Sequence, residues 1–241
     1  MSKPLFGRLQ VAPAYKVVSD RLQHAIVDRQ LKSGEALPTE GDLAEQFGVN
    51  RSTIREGVRA LEQFGYVRRQ GKKLIVTRPS QDQIGDHLSK ALMLHDVSFQ
   101  NLWEVKMVLE PLSAQLAAVN ATDEQIGRMG QNIDHMKIAL EARQNLVKLD
   151  IEFHSLVVEA ASNQALTMAR EALARLFYPA YKASMFADIA SQRLLEAHSK
   201  IFAAIKAHEP DIASDWMRKH IVDFKRGYEI AGLNLNGPMA V

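Results

Sequence analysis

The 241-residue chain is predicted to be mainly α, with a small N-terminal helical domain that carries a β-hairpin and a larger C-terminal bundle that is all α. Three observations predict this. Residues 31–77 hold two short helical segments separated by a Gly-Val-Asn break and followed by a basic hairpin. Beyond about residue 84 every apolar pattern has the helical period. The charge is divided as well, with 14 Lys and Arg against 8 Asp and Glu up to residue 80 (net +6), and 16 against 20 after it (net −4).

Residues 1–10 read as a loose tail. Tyr15 to Gln30 places apolar residues at 15, 18, 22, 25 and 26, the pattern of a supporting helix. From Glu40 to Phe47 the residues Leu43, Ala44 and Phe47 share one face, and Gly48 then permits a backbone reversal. Asn50 suits the N-cap of a second helix, because its side chain can accept from the unpaired amides of the first turn. On that helix Ile54, Val58 and Leu61 form an apolar stripe, and Arg51, Arg55 and Arg59 form a cationic one beside it. After Gly65, the segments Tyr66-Val67-Arg68 and Leu74-Ile75-Val76-Thr77 suit two short strands around a Gly71 tip.

This order of elements is that of a winged helix-turn-helix. The first turn of its second helix reaches base edges in the major groove, where arginine can bond guanine bidentately or grip phosphate. Arg51, Ser52, Thr53 and Arg55 are therefore the expected contacts, with Arg69, Lys72 and Lys73 of the hairpin placed for phosphate or minor groove. An arginine stripe alone is usually a solvated helix face. The ordered run of turn, cationic helix and basic hairpin favours the DNA-reading alternative.

Residues 31–67 (LKSGEALPTEGDLAEQFGVNRSTIREGVRALEQFGYV) and RRQGKKLIV resemble the GntR family of bacterial transcriptional regulators. The family signature is filled by Leu31, Gly34, Leu37, Pro38, Thr39 and Glu40. The resemblance implies a DNA-contact set of Thr39, Arg51, Ser52, Thr53, Arg55, Arg59, Arg69, Lys72 and Lys73. Two positions depart from the family pattern: Gly41 stands where arginine is frequent, and Lys72 and Lys73 replace the second glycine of the wing tip. The winged domain is expected over 11–78, with the polar run Arg78-Pro79-Ser80-Gln81-Asp82-Gln83 holding a linker at 79–83.

The second domain is expected over 84–232, with helices near 84–95, 98–119, 122–142, 145–161, 164–186, 189–208 and 210–231. Asp150 and His154 are four apart, so carboxylate and imidazole leave the same helix face. His198 shares a face with Ile201, Phe202 and Ile205, and His220 shares one with Trp216, Met217 and Phe224. Any one such histidine is ordinarily a satisfied core residue. Three of them with one aspartate suit zinc, nickel, iron or manganese instead, and a six-coordinate ion would keep open positions for an anion.

This half resembles the FCD ligand-binding domain of the FadR subgroup, whose metal-binding members have an Asp-x-x-x-His pair and two later histidines. The resemblance implies Asp150, His154, His198 and His220 as ligands of a divalent transition metal, zinc or nickel first and manganese or iron next. It also implies a pocket for a small carboxylic acid such as a hydroxy acid, sugar acid or dicarboxylate. Lys106 stands where the family helix usually has arginine, and Asn163 and Arg175 are further candidates to hold the acid. Tyr178 and Tyr181 read as core or pocket wall. The expected protein is not an enzyme but a homodimeric repressor on a double-stranded operator, released or strengthened by the acid. The alternatives are a metal sensor in which the ion is the signal, a DNA-anchored metallohydrolase, and an ion that only staples the bundle.

With no cysteine, disulfides, thiolate metal sites and cysteine nucleophiles are excluded. No apolar run approaches a membrane span, and the first residues lack a secretion-type apolar core, so the expected compartment is the cytoplasm.

Overall fold

The computed structural model describes residues 12–184 and 188–238, and their side chains except those of Asp82, 178–184, 188 and 189. The expected tail at 1–10 and the side chains of Tyr178 and Tyr181 lie outside the described residues. Among the described residues, ten helices and one two-stranded antiparallel sheet fall into two compact units that divide between Gln83 and Ile84.

The N-terminal unit holds α1 (Ala14–Val27), α2 (Glu40–Phe47), α3 (Arg51–Gln63), β1 (Val67–Gln70) and β2 (Lys73–Val76). Thr39 starts α2 through a capping box with Asp42, and Gly48 ends it with a left-handed φ of 65°. Asn50 Oδ1 accepts the Thr53 amide at 2.8 Å and so starts α3. Ile54, Val58 and Leu61 are fully buried and meet Val18, Leu22, Leu43, Val67 and Val76 in one core. Each such side chain contributes roughly 1.5–3 kcal/mol by leaving water. Helices α1 and α3 approach closely because residue 57 is glycine: a Cβ there would lie 2.9 Å from the Tyr15 carbonyl oxygen.

The hairpin pairs Val67 with Val76, Arg68 with Ile75, Arg69 with Leu74 and Gln70 with Lys73. Its β2 edge is covered by the signature segment, where the Gly34 and Leu37 amides donate to the carbonyls of Val76 and Leu74 and the Val76 amide donates to Glu35. The LxxGxxL residues thus anchor the wing.

The C-terminal unit is built from α4 (Gln81–Leu94), α5 (Phe99–Asn120), α6 (Asp123–Glu141), α7 (Val147–Ala160), α8 (Gln164–Ser184), α9 (Asp188–Lys206) and α10 (Pro210–Ile230). Helix α4 starts three residues before the expected 84, inside the expected linker. Ser80 and Gln83 explain this, since the Ser80 hydroxyl accepts the Gln83 amide at 3.2 Å and the Gln83 side chain accepts the Ser80 amide at 3.0 Å, a reciprocal cap. Helix α5 packs against α7, α8, α9 and α10. Phe99, Met129, Met136, Phe153, Phe177, Ile201, Ile205, Met217 and Ile221 form the shared core. Pro111 inside α5 deprives that helix of one backbone hydrogen bond, beside Glu110.

Candidate functional site

In the N-terminal unit Arg51, Ser52, Arg55 and Arg59 are exposed along one side of α3, with Thr53 half-buried, and Arg69, Lys72 and Lys73 are exposed on the wing. Together with Thr39, Glu40, Gly41 and Glu62, the arginines and lysines line one concave surface. Two of its cations are held in place by acids. Arg55 donates from Nε and NH2 to Glu40 Oε2 at 3.1 and 2.9 Å, and Arg69 reaches Glu62 at 3.3 Å and Glu40 at 3.6 Å. The hydrogen bond from Arg55 holds the Glu40 carboxyl below the ordinary range against the opposing effect of partial burial.

The hydroxyls of the same surface bond within the caps of α2 and α3. Ser52 and Thr53 both donate to Asn50 Oδ1, and Thr39 donates to Asp42 Oδ2. Gly41 acquires a structural meaning: Arg51 lies across it, its NH2 3.1 Å from where a Cβ would stand. The cation that the family frequently places at 41 is here replaced in space by one from α3. Sequence reasoning did not place Glu40 and Glu62 in this surface, although Glu40 closes the signature itself.

In the C-terminal unit Asp150 and His154 from α7, His198 from α9 and His220 from α10 converge, with one ligand atom from each lying within 4.8 Å of the others. His154 Nε2 is 3.1 Å and His198 Nε2 is 3.2 Å from His220 Nε2. Asp150 Oδ1 is 3.2 Å from His198 Nε2 and 3.8 Å from the Nε2 atoms of His154 and His220. Asp150, His154 and His198 have no exposure, and His220 has 7%. Two neighbouring imidazoles can share one N–H, but three inward nitrogens and a carboxylate hold more lone pairs than their protons can serve. Of the two oxygens of the buried Asp150, Oδ1 is within reach of His198 Nε2, and among the described residues Oδ2 has no hydrogen-bond partner.

The three short distances, 3.1, 3.2 and 3.2 Å, fit a shared cation, and the two of 3.8 Å would close slightly around it. With bonds of about 2.1 Å, ligand atoms at right angles stand about 3.0 Å apart and tetrahedral ones about 3.4 Å. The protonation states fit as well. Burial pushes His154 and His220 below the ordinary histidine value, and for His220 the facing His198 and His154 push further. Both are therefore neutral donors near neutral pH. Burial alone would raise Asp150, but the facing imidazoles outweigh it and hold the carboxyl well below its usual range.

Glu110 of α5 stands behind His154, with Oε2 2.8 Å from Nδ1. Its other oxygen accepts from Lys106 Nζ at 2.7 Å and from Arg170 Nε at 3.1 Å, and all three side chains are buried. Arg170 also donates to Glu171 at 2.6 Å and to Ser155 at 3.1 Å. Burial would raise the Glu110 carboxyl, but His154, Lys106 and Arg170 hold it well below its usual range. Lys106, Glu110, Arg170 and Phe177 line a cavity of about 10 Å3.

Lys106 is thus beside the cluster, whereas the other two acid-holding candidates are placed elsewhere. Asn163 is exposed and accepts the Leu166 amide at 3.1 Å as the cap of α8. Arg175 is exposed, with its Nε against Gly85 of α4. Glu110 and Arg170 were missed. The i, i+4 spacing of Lys106 and Glu110 on an otherwise apolar helix face was the available signal for the first; Arg170 offered none. Outside the cluster, His24 and His208 hydrogen-bond the carbonyls of Asp20 and Ala118. No described helix is long and apolar enough to cross a membrane.

Comparison with known proteins joins the two units. Residues 14–75 match the family described as bacterial regulatory proteins, gntR family, and residues 101–223 match the FCD domain. The HTH-type transcriptional repressor NanR of Escherichia coli (strain K12) is 27% identical over 252 residues, covering 98% of this chain and 94% of that protein. NanR of Cronobacter sakazakii is 28% identical over 212 residues, covering 86% and 82%. The solved structure of Streptococcus agalactiae GntR aligns with a TM-score of 0.65 at 30% identity, over 88% of this chain and 99% of that one. The chain therefore belongs to the GntR family, in the group with a C-terminal FCD domain, and this family consists of transcription regulators and not enzymes.

Proposed function

We propose that this regulator is a cytoplasmic homodimeric repressor in which residues 11–78 bind operator DNA and residues 84–232 hold a divalent transition metal and a small carboxylic acid. The observation that carries the reading is the buried convergence of Asp150, His154, His198 and His220 on one point. Zinc or nickel suits three imidazoles and a carboxylate best, with manganese or iron as alternatives. When bound, such an ion supplies a Lewis-acidic centre with positions that a carboxylate oxygen can join.

Around that centre the protein does the selecting. Lys106 and Arg170 present buried cations beside the cluster, where the charge of an acid is attracted most strongly. Their cavity of about 10 Å3 holds no more than one water, so an acid enters only if α5 and α8 part. An acid that binds the parted arrangement better shifts the population toward it. In a dimer such a shift alters the spacing of two winged domains and hence their fit to two half-sites. On the DNA side the arginines of α3 and the lysines of the wing supply the contacts, with Arg55 and Arg69 oriented beforehand by Glu40 and Glu62.

A second reading is favoured by the small size of the same cavity: the ion itself is the signal. Operator retention on gels, with chelator-treated and metal-loaded protein against a panel of small carboxylic acids, separates the two. Release of DNA by one acid only when metal is loaded supports the acid-responsive reading. A change with metal alone, over all acids, supports the sensor. Metal uptake with no effect on DNA in either arm refutes both.

A further inference from the structure

We infer that Glu110 is the positioning residue of the ion site: it fixes His154 in the tautomer whose Nε2 faces the cluster, and it ties that histidine to Lys106 and Arg170. This rests on the ion-binding reading above. A carboxylate only accepts hydrogen bonds, so the 2.8 Å contact to Glu110 Oε2 requires the His154 proton to sit on Nδ1. Nε2 is then left as a lone pair directed at Asp150, His198 and His220. His198 shows the contrast, since its own Nδ1 is buried and among the described residues has no hydrogen-bond partner.

The second oxygen carries the other half of the inference. Lys106 Nζ at 2.7 Å and Arg170 Nε at 3.1 Å both donate to Oε1, so one carboxylate is shared between a metal-facing imidazole and the two cations that line the cavity. An anion that draws on Lys106 or Arg170 must loosen their hold on Glu110, and that change reaches His154 through a single side chain. Outer carboxylates of this kind typically strengthen metal affinity 10- to 100-fold.

Glutamine at 110 cannot reproduce the arrangement. If its amide oxygen accepts from His154, its NH2 is forced toward Lys106 and Arg170, donor against donor. The test uses Co(II) as the probe on the full chain, with Glu110→Gln and, because a buried lysine that loses its carboxylate can prevent folding, the double variant Lys106→Met/Glu110→Gln, in which Arg170 keeps Glu171.

The expected result is Co(II) affinity about 10- to 100-fold weaker in both variants, with altered visible absorption bands. In chelator-treated wild-type protein, nitrogen NMR should find the His154 proton on Nδ1. A folded double variant with unchanged affinity and spectrum overturns the inference, as does a His154 proton found on Nε2; the latter measurement needs no variant to fold. Wild-type protein that takes up no Co(II) instead overturns the ion-binding reading itself.

Discussion

Replacing His198 by alanine separates the packing role of this side chain from its role as a ligand. The ring is fully buried and stacks on Phe153 with centroids 4.2 Å apart and planes at 17°. Truncation leaves a cavity that costs about 2–5 kcal/mol, offset in part because the buried Nδ1, which has no hydrogen-bond partner among the described residues, goes with the ring. For a chain of this size each kcal/mol moves the melting point by roughly 2–4 °C, so the chelator-treated variant should melt about 4–20 °C below chelator-treated wild type. That loss does not involve metal. In wild type, zinc or nickel at about a hundred times its dissociation constant adds about 2.7 kcal/mol, a rise of roughly 5–11 °C. With three ligands left and affinity reduced at least about a hundredfold, the rise in the variant should shrink to about 1–2 °C. Differential scanning calorimetry of both proteins, with and without metal, reads the two quantities apart. An equal metal-induced rise in His198→Ala and wild type would refute the assignment, as would no rise in wild type with any of the four candidate metals.

Three further outcomes are expected. Arg55→Ala should weaken operator binding at least about fivefold and flatten its salt dependence by about one unit, with a nearly unchanged melting point because the Arg55 side chain is exposed; gel shifts at two salt concentrations check the first two and a thermal melt the third. Gly57→Ala should destabilise the winged domain by about 1–3 kcal/mol, because the new Cβ meets the Tyr15 carbonyl at 2.9 Å and Val18 at 3.1 Å; an unchanged urea midpoint would count against the close α1–α3 packing. In chelator-treated protein, stability should fall as pH drops below 6.5. His154 and His220 are held below that value chiefly by burial, so the unfolded chain takes up their protons first. The slope is at most about 1.4 kcal/mol per group per pH unit, and urea midpoints that stay level from pH 7.5 to 5.5 would contradict it.

Much of the winged domain was legible because its determinants are local. The Asn50 cap, the left-handed Gly48 and the buried stripe of Ile54, Val58 and Leu61 each depend on residues within two turns of one another. The start of α4 was local too, and the Ser80–Gln83 box was overlooked beneath the proline that precedes it. Asn163 could equally have been read as a cap, since it stands directly before the first residue of α8 and accepts from Leu166.

By itself, the sequence determined the order of elements, the cationic face of α3 and the Asp150–His154 pair, because helical periodicity and capping act over three or four residues. Tertiary structure alone decided which distant groups share a site. Glu110 meets His154 across 44 positions and Arg170 across 60, and His220 reaches His154 across 66. Those meetings follow from how α5, α7, α8, α9 and α10 pack, and packing is set by the shapes of whole helix faces, which no spacing along one helix encodes.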